Sequence, residues 1–156
     1  MKQHVIILYC GLAFLAGLLQ GCAPVAKSDS GQSTSGTLSA AGPDLCREAQ
    51  SGKMWHTVRS GPFTTPQEAE QYVRELRHAG FDDWRLPTEH ELLNLHYAFY
   101  WSQNGDCDMN TRGEYWYKSE FGETAPGHWE TYELCSPEFK FVKSSKSLGY
   151  VRAIRP

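Results

Sequence analysis

Gly80-Phe81-Asp82-Asp83-Trp84-Arg85-Leu86-Pro87-Thr88-Glu89-His90-Glu91-Leu92-Leu93 is the stretch on which the reading of the fold turns. Thr88 offers a hydroxyl at a helix N-cap and Glu91 follows three residues later, so each side chain can answer an orphan amide of the other residue. A helix therefore begins after Thr88, with Leu92, Leu93, Leu95 and His96 as its buried side. Pro87 disfavours helical backbone just before it and keeps this helix apart from what precedes. In the extended run ahead, alternation sends Trp84 and Leu86 to one face. Asp83 and Arg85 go to the other, as an ion pair or a hydrogen-bond organiser.

Upstream, Thr65-Pro66-Gln67-Glu68 repeats the capping logic, with proline at the first helical position. Ala69, Tyr72, Val73 and Leu76 recur at i, i+3, i+4 and i+7 as an apolar stripe, and Gly80 offers a left-handed stop. Downstream, short aromatic runs at Phe99 to Ser102, Glu114 to Lys118, His128 to Cys135 and Phe139 to Val142 read as strands. The closing Gly149 to Arg155 alternates as a last strand with one buried and one arginine-bearing side. The expected fold is α+β, two helices followed by a small antiparallel sheet.

The N-terminus reads as an address. Lys2 and His4 precede an apolar run of 15 residues, Val5 to Leu19, which suits a signal-peptide core and falls short of the roughly 20 residues a membrane-spanning helix needs. Leu19-Gln20-Gly21-Cys22 resembles the lipobox of bacterial lipoproteins, in which Cys22 would be acylated, with palmitate among its chains, and become the mature N-terminus. Ala23 after the cysteine implies sorting to the outer membrane. The expected organisation is a signal peptide over 1–21, a Ser/Gly/Ala linker over 22–43 and a folded domain over 44–156. Such a linker spans on the order of 25 Å.

The charge balance, 15 Lys and Arg against 18 Asp and Glu, gives no basic excess to hold a nucleic acid. An aromatic share of 13% and an ordinary charged share of 21% describe a chain that can bury a core.

The stretch from Gly80 to Leu93 resembles the "G-[FY]-x-D-W-R-L-P-T-x-x-E-L" signature of the DUF1566 family, the Lcl C-terminal domain of the Legionella collagen-like adhesin. Ser51-Gly52-Lys53-Met54-Trp55, Tyr100-Trp101-Ser102 and Tyr150 to Arg155 resemble three further family segments in order. The resemblance implies a C-type-lectin-like or formylglycine-generating-enzyme-like single domain. The cysteines that such proteins often carry in the first helix and the closing strand are replaced here by Val73 and Ala153, an apolar pair. The resemblance also implies a loop-stapling disulfide between Cys107 and Cys135. Spacing alone leaves Cys46 open as a partner of either.

Four further patterns bear on chemistry. His90-Glu91-Leu92-Leu93-Asn94 lacks the second imidazole of a zinc-protease helix, which leaves His90 as an exposed helix residue. Asp106, Asp108 and Asn110 alternate like calcium ligands, but Thr111 stands where an EF-hand needs glycine; a looser Ca²⁺ site with Glu114 is the expectation. Trp101, Tyr115 and Trp116 are candidates for a sugar-stacking surface, with Trp84 and Trp129 as core. No nucleophile triad or phosphate-cradling glycine loop is present.

These readings combine into a lipid-anchored, more binding than catalytic, adhesion-type envelope module for polysaccharide, glycoconjugate or an envelope protein. The alternatives are an enzyme of the formylglycine-generating type and a structural envelope lipoprotein with a protein partner.

Overall fold

The computed structural model describes residues 37–133 and 137–156. Cys22, Cys135, the signal peptide and most of the linker lie outside them. The described residues fall within one compact unit, Gly31–Pro156.

Four strands precede the first helix: β1 (Leu38–Gly42), β2 (Leu45–Glu48), β3 (Met54–His56) and β4 (Ser60–Phe63). Then come α1 (Pro66–Glu75) and α2 (Glu89–Tyr100), followed by β5 (Tyr115–Lys118), β6 (Thr124–Glu133), β7 (Pro137–Lys143), β8 (Gly149–Val151) and β9 (Ile154–Arg155). One sheet has the order β1-β2-β3-β9 and the other β4-β8-β5-β6-β7, in which only β5 and β8 run parallel. The expectation of two helices followed by a small sheet is thereby corrected: the domain is mostly β, and its strands lie on both sides of the helices in sequence. The fold also reaches back into the stretch read as linker. Leu38 is buried, and Thr37 and Ala40 are bonded to the loop after α2.

Both helices start as their caps dictate. Thr65 with Glu68 and Thr88 with Glu91 each form the complete reciprocal box. The run at Phe99 to Ser102, expected as a strand, instead closes α2, because Ala98 extends the buried row of Leu92 and Leu95 at a spacing of three. α1 ends before Gly80. Leu76 is already extended, and the left-handed residues Ala79 and Gly80 turn the chain into the segment that carries Trp84.

Two cores result, and β5 divides them. Tyr115 and Tyr117 join the core under α2, with Trp55, Leu92, Leu95 and Ile154, while Trp116 points the other way into the core under α1, with Val73, Trp84, Leu86 and Ala153. This is the period-two alternation of a strand covered on both faces. Val73 and Ala153 do lie in one cluster.

The closing segment is not one strand. β8 belongs to the five-stranded sheet and β9 to the four-stranded one, so Val151, Arg152, Ala153 and Ile154 are buried in succession where the chain crosses between them. Arg152, expected on the arginine-bearing side and not on the buried one, is 1% exposed.

The disulfide joins Cys46 to Cys107, both within the core under α2. That pairing replaces the expected Cys107–Cys135 bridge. Cys46 lies on β2 opposite Trp55, facing the core that the Cys107 loop covers, and a sulfur bonded to Cys46 has no valence left for Cys135.

Candidate functional site

A cleft of about 510 Å³ opens between the end of α2, the loop at 111–113 and β6. α2 contributes His96, Phe99 and Tyr100, and β6 contributes His128, Trp129 and Thr131. A smaller cavity shares five of its lining residues and continues inward to Tyr115, Gly127 and Arg152. Gly127 is required at that depth, because a Cβ there would run into the Phe141 ring.

The polar groups of the cleft are held from several elements. His96 Nε2 lies 3.0 Å from Thr131 Oγ1, and burial pushes the His96 pKa below the usual histidine range. His128 and Glu130 share a face of β6 as i and i+2, with Nε2 3.1 Å from Glu130 Oε1. On the other side His128 Nδ1 is 3.0 Å from Glu114 Oε1, an approach that suits an ion pair and not a hydrogen bond. Burial disfavours charge on this imidazole, but the contacts with Glu130 and Glu114 outweigh it, and the pKa is raised. Trp129 Nε1 and Glu114 Oε2 are buried without a hydrogen-bond partner. At the inner end the Arg152 guanidinium donates to the carbonyls of Thr57 and Asn110 and to Tyr115 Oη. The aromatic wall of Phe99, Tyr100 and Trp129, with the His96 and His128 imidazoles beside it, can receive a polar, ring-shaped ligand.

The residues singled out in the sequence divide. Trp101 is half exposed and stands edge-on to Tyr100, 4.9 Å between ring centres, beside the cleft. Tyr115 is core, and only its hydroxyl reaches the inner end. Trp116 is core in the other cluster, its Nε1 donating to the Phe63 carbonyl. Neither presents a stacking face.

The expected calcium set does not assemble. Asp106 accepts the Ala40 amide, the Asn110 side chain caps its own turn at Arg112, and Glu114 turns to His128. Among the described residues no group of three His, Cys, Asp or Glu side chains is placed to hold a metal. Nor do Asp83 and Arg85 pair with each other: Asp83 binds Arg155 and Arg85 binds Glu91. His90 is exposed on α2, 3.2 Å from Glu120. His96, His128 and Arg152 went unrecognised in the sequence. The one available signal was the His-x-Glu spacing of His128 and Glu130 on a strand.

Residues 35–87 match the model of the SPOR domain. That family binds peptidoglycan, and the match covers about a third of the chain, from ahead of β1 to the residue before the α2 cap. It overturns the resemblance to DUF1566 and the Lcl C-terminal domain, and with it the C-type-lectin-like and formylglycine-generating assignments. The quoted signature misled because its residues serve a local joint: Thr88 and Glu91 cap α2, Arg85 clamps Glu91, and Trp84 and Leu86 fill the core. The two thiols in reach of each other are tied in a buried bridge, which leaves no exposed cysteine pair of the formylglycine type among the described residues. At the coarse level the SPOR match agrees with a cell-envelope binding module. No curated protein and no solved structure matched the chain.

Proposed function

We propose that this protein is a non-catalytic envelope module that binds peptidoglycan, tethered to the outer membrane through acylated Cys22. The observation that carries the reading is the match of residues 35–87 to the SPOR domain, a peptidoglycan-binding family. The aromatic and polar cleft at the end of α2 supports it from outside the matched segment, since a saccharide needs a ring face to stack on and fixed polar groups to bond its hydroxyls. The lipobox-like Leu19 to Cys22 supports the anchor.

Co-sedimentation of the purified full chain with peptidoglycan sacculi tests the ligand. Recovery in the pellet, competed by soluble glycan strands, is the expected result; a protein left in the supernatant at every concentration overturns the reading. Palmitate labelling, lost in Cys22→Ser, tests the anchor separately.

A further inference from the structure

The two sheets have four outer edges, on β1, β9, β4 and β7, and three of them are closed. Beside β1, Thr37 and Ala40 bond to Gln103 and Asp106 in the loop after α2. Beside β9, Arg85 and Ile154 exchange backbone hydrogen bonds. β4 contains Pro62, which has no N–H to offer, and its register with β8 is already irregular between Ser60 and Phe63. β7 differs. Its seven residues pair with β6 in unbroken register, from Pro137 opposite Glu133 to Lys143 opposite Gly127, and among the described residues no backbone hydrogen bond reaches its outer side. A regular strand with an open row of N–H and C=O groups is a template for another strand.

The side chains of β7 decide which strand fits. Phe139 stands edge-on to His96, Tyr97 and Tyr100, with 5.5, 4.5 and 5.1 Å between ring centres, and so faces α2. Glu138 and Lys140, on either side of it, share the opposite face and are exposed. Nearby charges are already engaged: Glu130 by His128 and Tyr132, Lys143 by Glu123. Glu138 and Lys140 form no salt bridge among the described residues.

We propose that β7 pairs antiparallel with the β7 of a second copy of this chain, across a two-fold axis at Phe139 that runs normal to the sheet. Directly opposite residues must lie on one face, so only registers centred on a residue are allowed. Centred on Glu138 or on Lys140, the register sets like charges against each other. Centred on Phe141, it sets Lys140 against Val142. Centred on Phe139, it sets Glu138 against Lys140 of the second copy and Lys140 against Glu138 of the second copy, so the strand is its own charge complement. Lys140, a residue of the kind that keeps foreign strands off an open edge, is thereby answered by a copy of the same strand.

Sedimentation velocity of the full chain tests this, in excess non-ionic detergent so that the apolar run over 5–19 does not itself associate. A concentration-dependent dimer is the expected result. A monomer at every concentration overturns the proposal, even if β7 proves to accept a strand from another protein. Glu138→Lys alone and Lys140→Glu alone should each weaken the dimer roughly tenfold, because two attractive cross-strand pairs become two repulsive ones. Mixed in equal amounts, the two variants should regain wild-type affinity as a heterodimer, since every lysine then meets a glutamate. A dimer indifferent to both substitutions, or folded variants that do not rescue each other, overturns the β7 register. Both positions are exposed, so the melting curves of the single variants should match the wild type. If one melts lower, the double variant Glu138→Lys with Lys140→Glu, which restores both pairs within a homodimer, decides in its place.

Discussion

Arg85 grips Glu91 at two points, Nη1 to Oε2 and Nη2 to Oε1, each at 2.7 Å. The clamp ties the extended segment of Trp84 and Leu86 to the first turn of α2, and Lys53 closes on the same carboxylate from beside β3. Burial would raise the Glu91 pKa, but Arg85, Lys53 and the Thr88 amide hold it down to about 2. The stability it contributes is therefore complete above its ordinary value near 4.5 and is lost as pH falls toward 2. Glu91→Gln should cost about 3 kcal/mol at neutral pH, at the lower end for a broken buried pair because Arg85 and Lys53 remain partly hydrated. Urea midpoints at pH 7 and pH 3 check this, with a smaller gap between wild type and variant at the lower pH.

The Cys46–Cys107 bridge spans 61 residues, enough for a loop-closure contribution of about 4 kcal/mol. Reduction, or Cys107→Ser, should lower the denaturation midpoint accordingly. Peptide mapping without reductant should recover Cys46 linked to Cys107. A Cys107–Cys135 peptide in its place would contradict the structure.

Two tryptophans at opposite ends of the loop between α2 and β5 should respond in opposite ways. Trp116 is 1% exposed, and Trp116→Ala should cost about 3 to 5 kcal/mol, leaving binding untestable in an unfolded chain. Trp101 is 52% exposed, so Trp101→Ala should move stability by less than about 0.5 kcal/mol. Its affinity for sacculi should fall several-fold, because the ring stands beside Tyr100 at the cleft. Paired melts and co-sedimentation measure both.

His128 gains carboxylate partners on folding, and its pKa rises. The stabilisation is present in full below the ordinary histidine value and disappears as pH climbs through the raised one. Imidazole titration by NMR should therefore place His128 above the usual range. His128→Gln should flatten the stability profile as pH rises above the ordinary histidine value.

Much of the helical frame was legible because capping is local chemistry. Thr65 with Glu68 and Thr88 with Glu91 fix both starts within four residues, and the Ala69–Val73 stripe names the buried face. What escaped is what distant pairing decides. Leu38 is flanked by Ser, Thr and Gly and reads as linker, yet β2 and the loop after α2 capture it. Three consecutive aromatics, Tyr115 to Tyr117, suggest an exposed platform until it is known that β5 is central and covered on both faces. The cleft was illegible for the same reason. His96, His128 and Arg152 come from α2, from β6 and from the crossing between β8 and β9, and only the closed sheets bring them together.

The division of the seven residues over 149–155 between β8 and β9 bears on how this protein can be cut. β3 meets Arg155 and Ile154, and β4 meets Val151 and Gly149, so the segment over 35–87 finds its edge partners only in β8 and β9, beyond both helices in sequence. A fragment trimmed to the family match would present two raw sheet edges and aggregate.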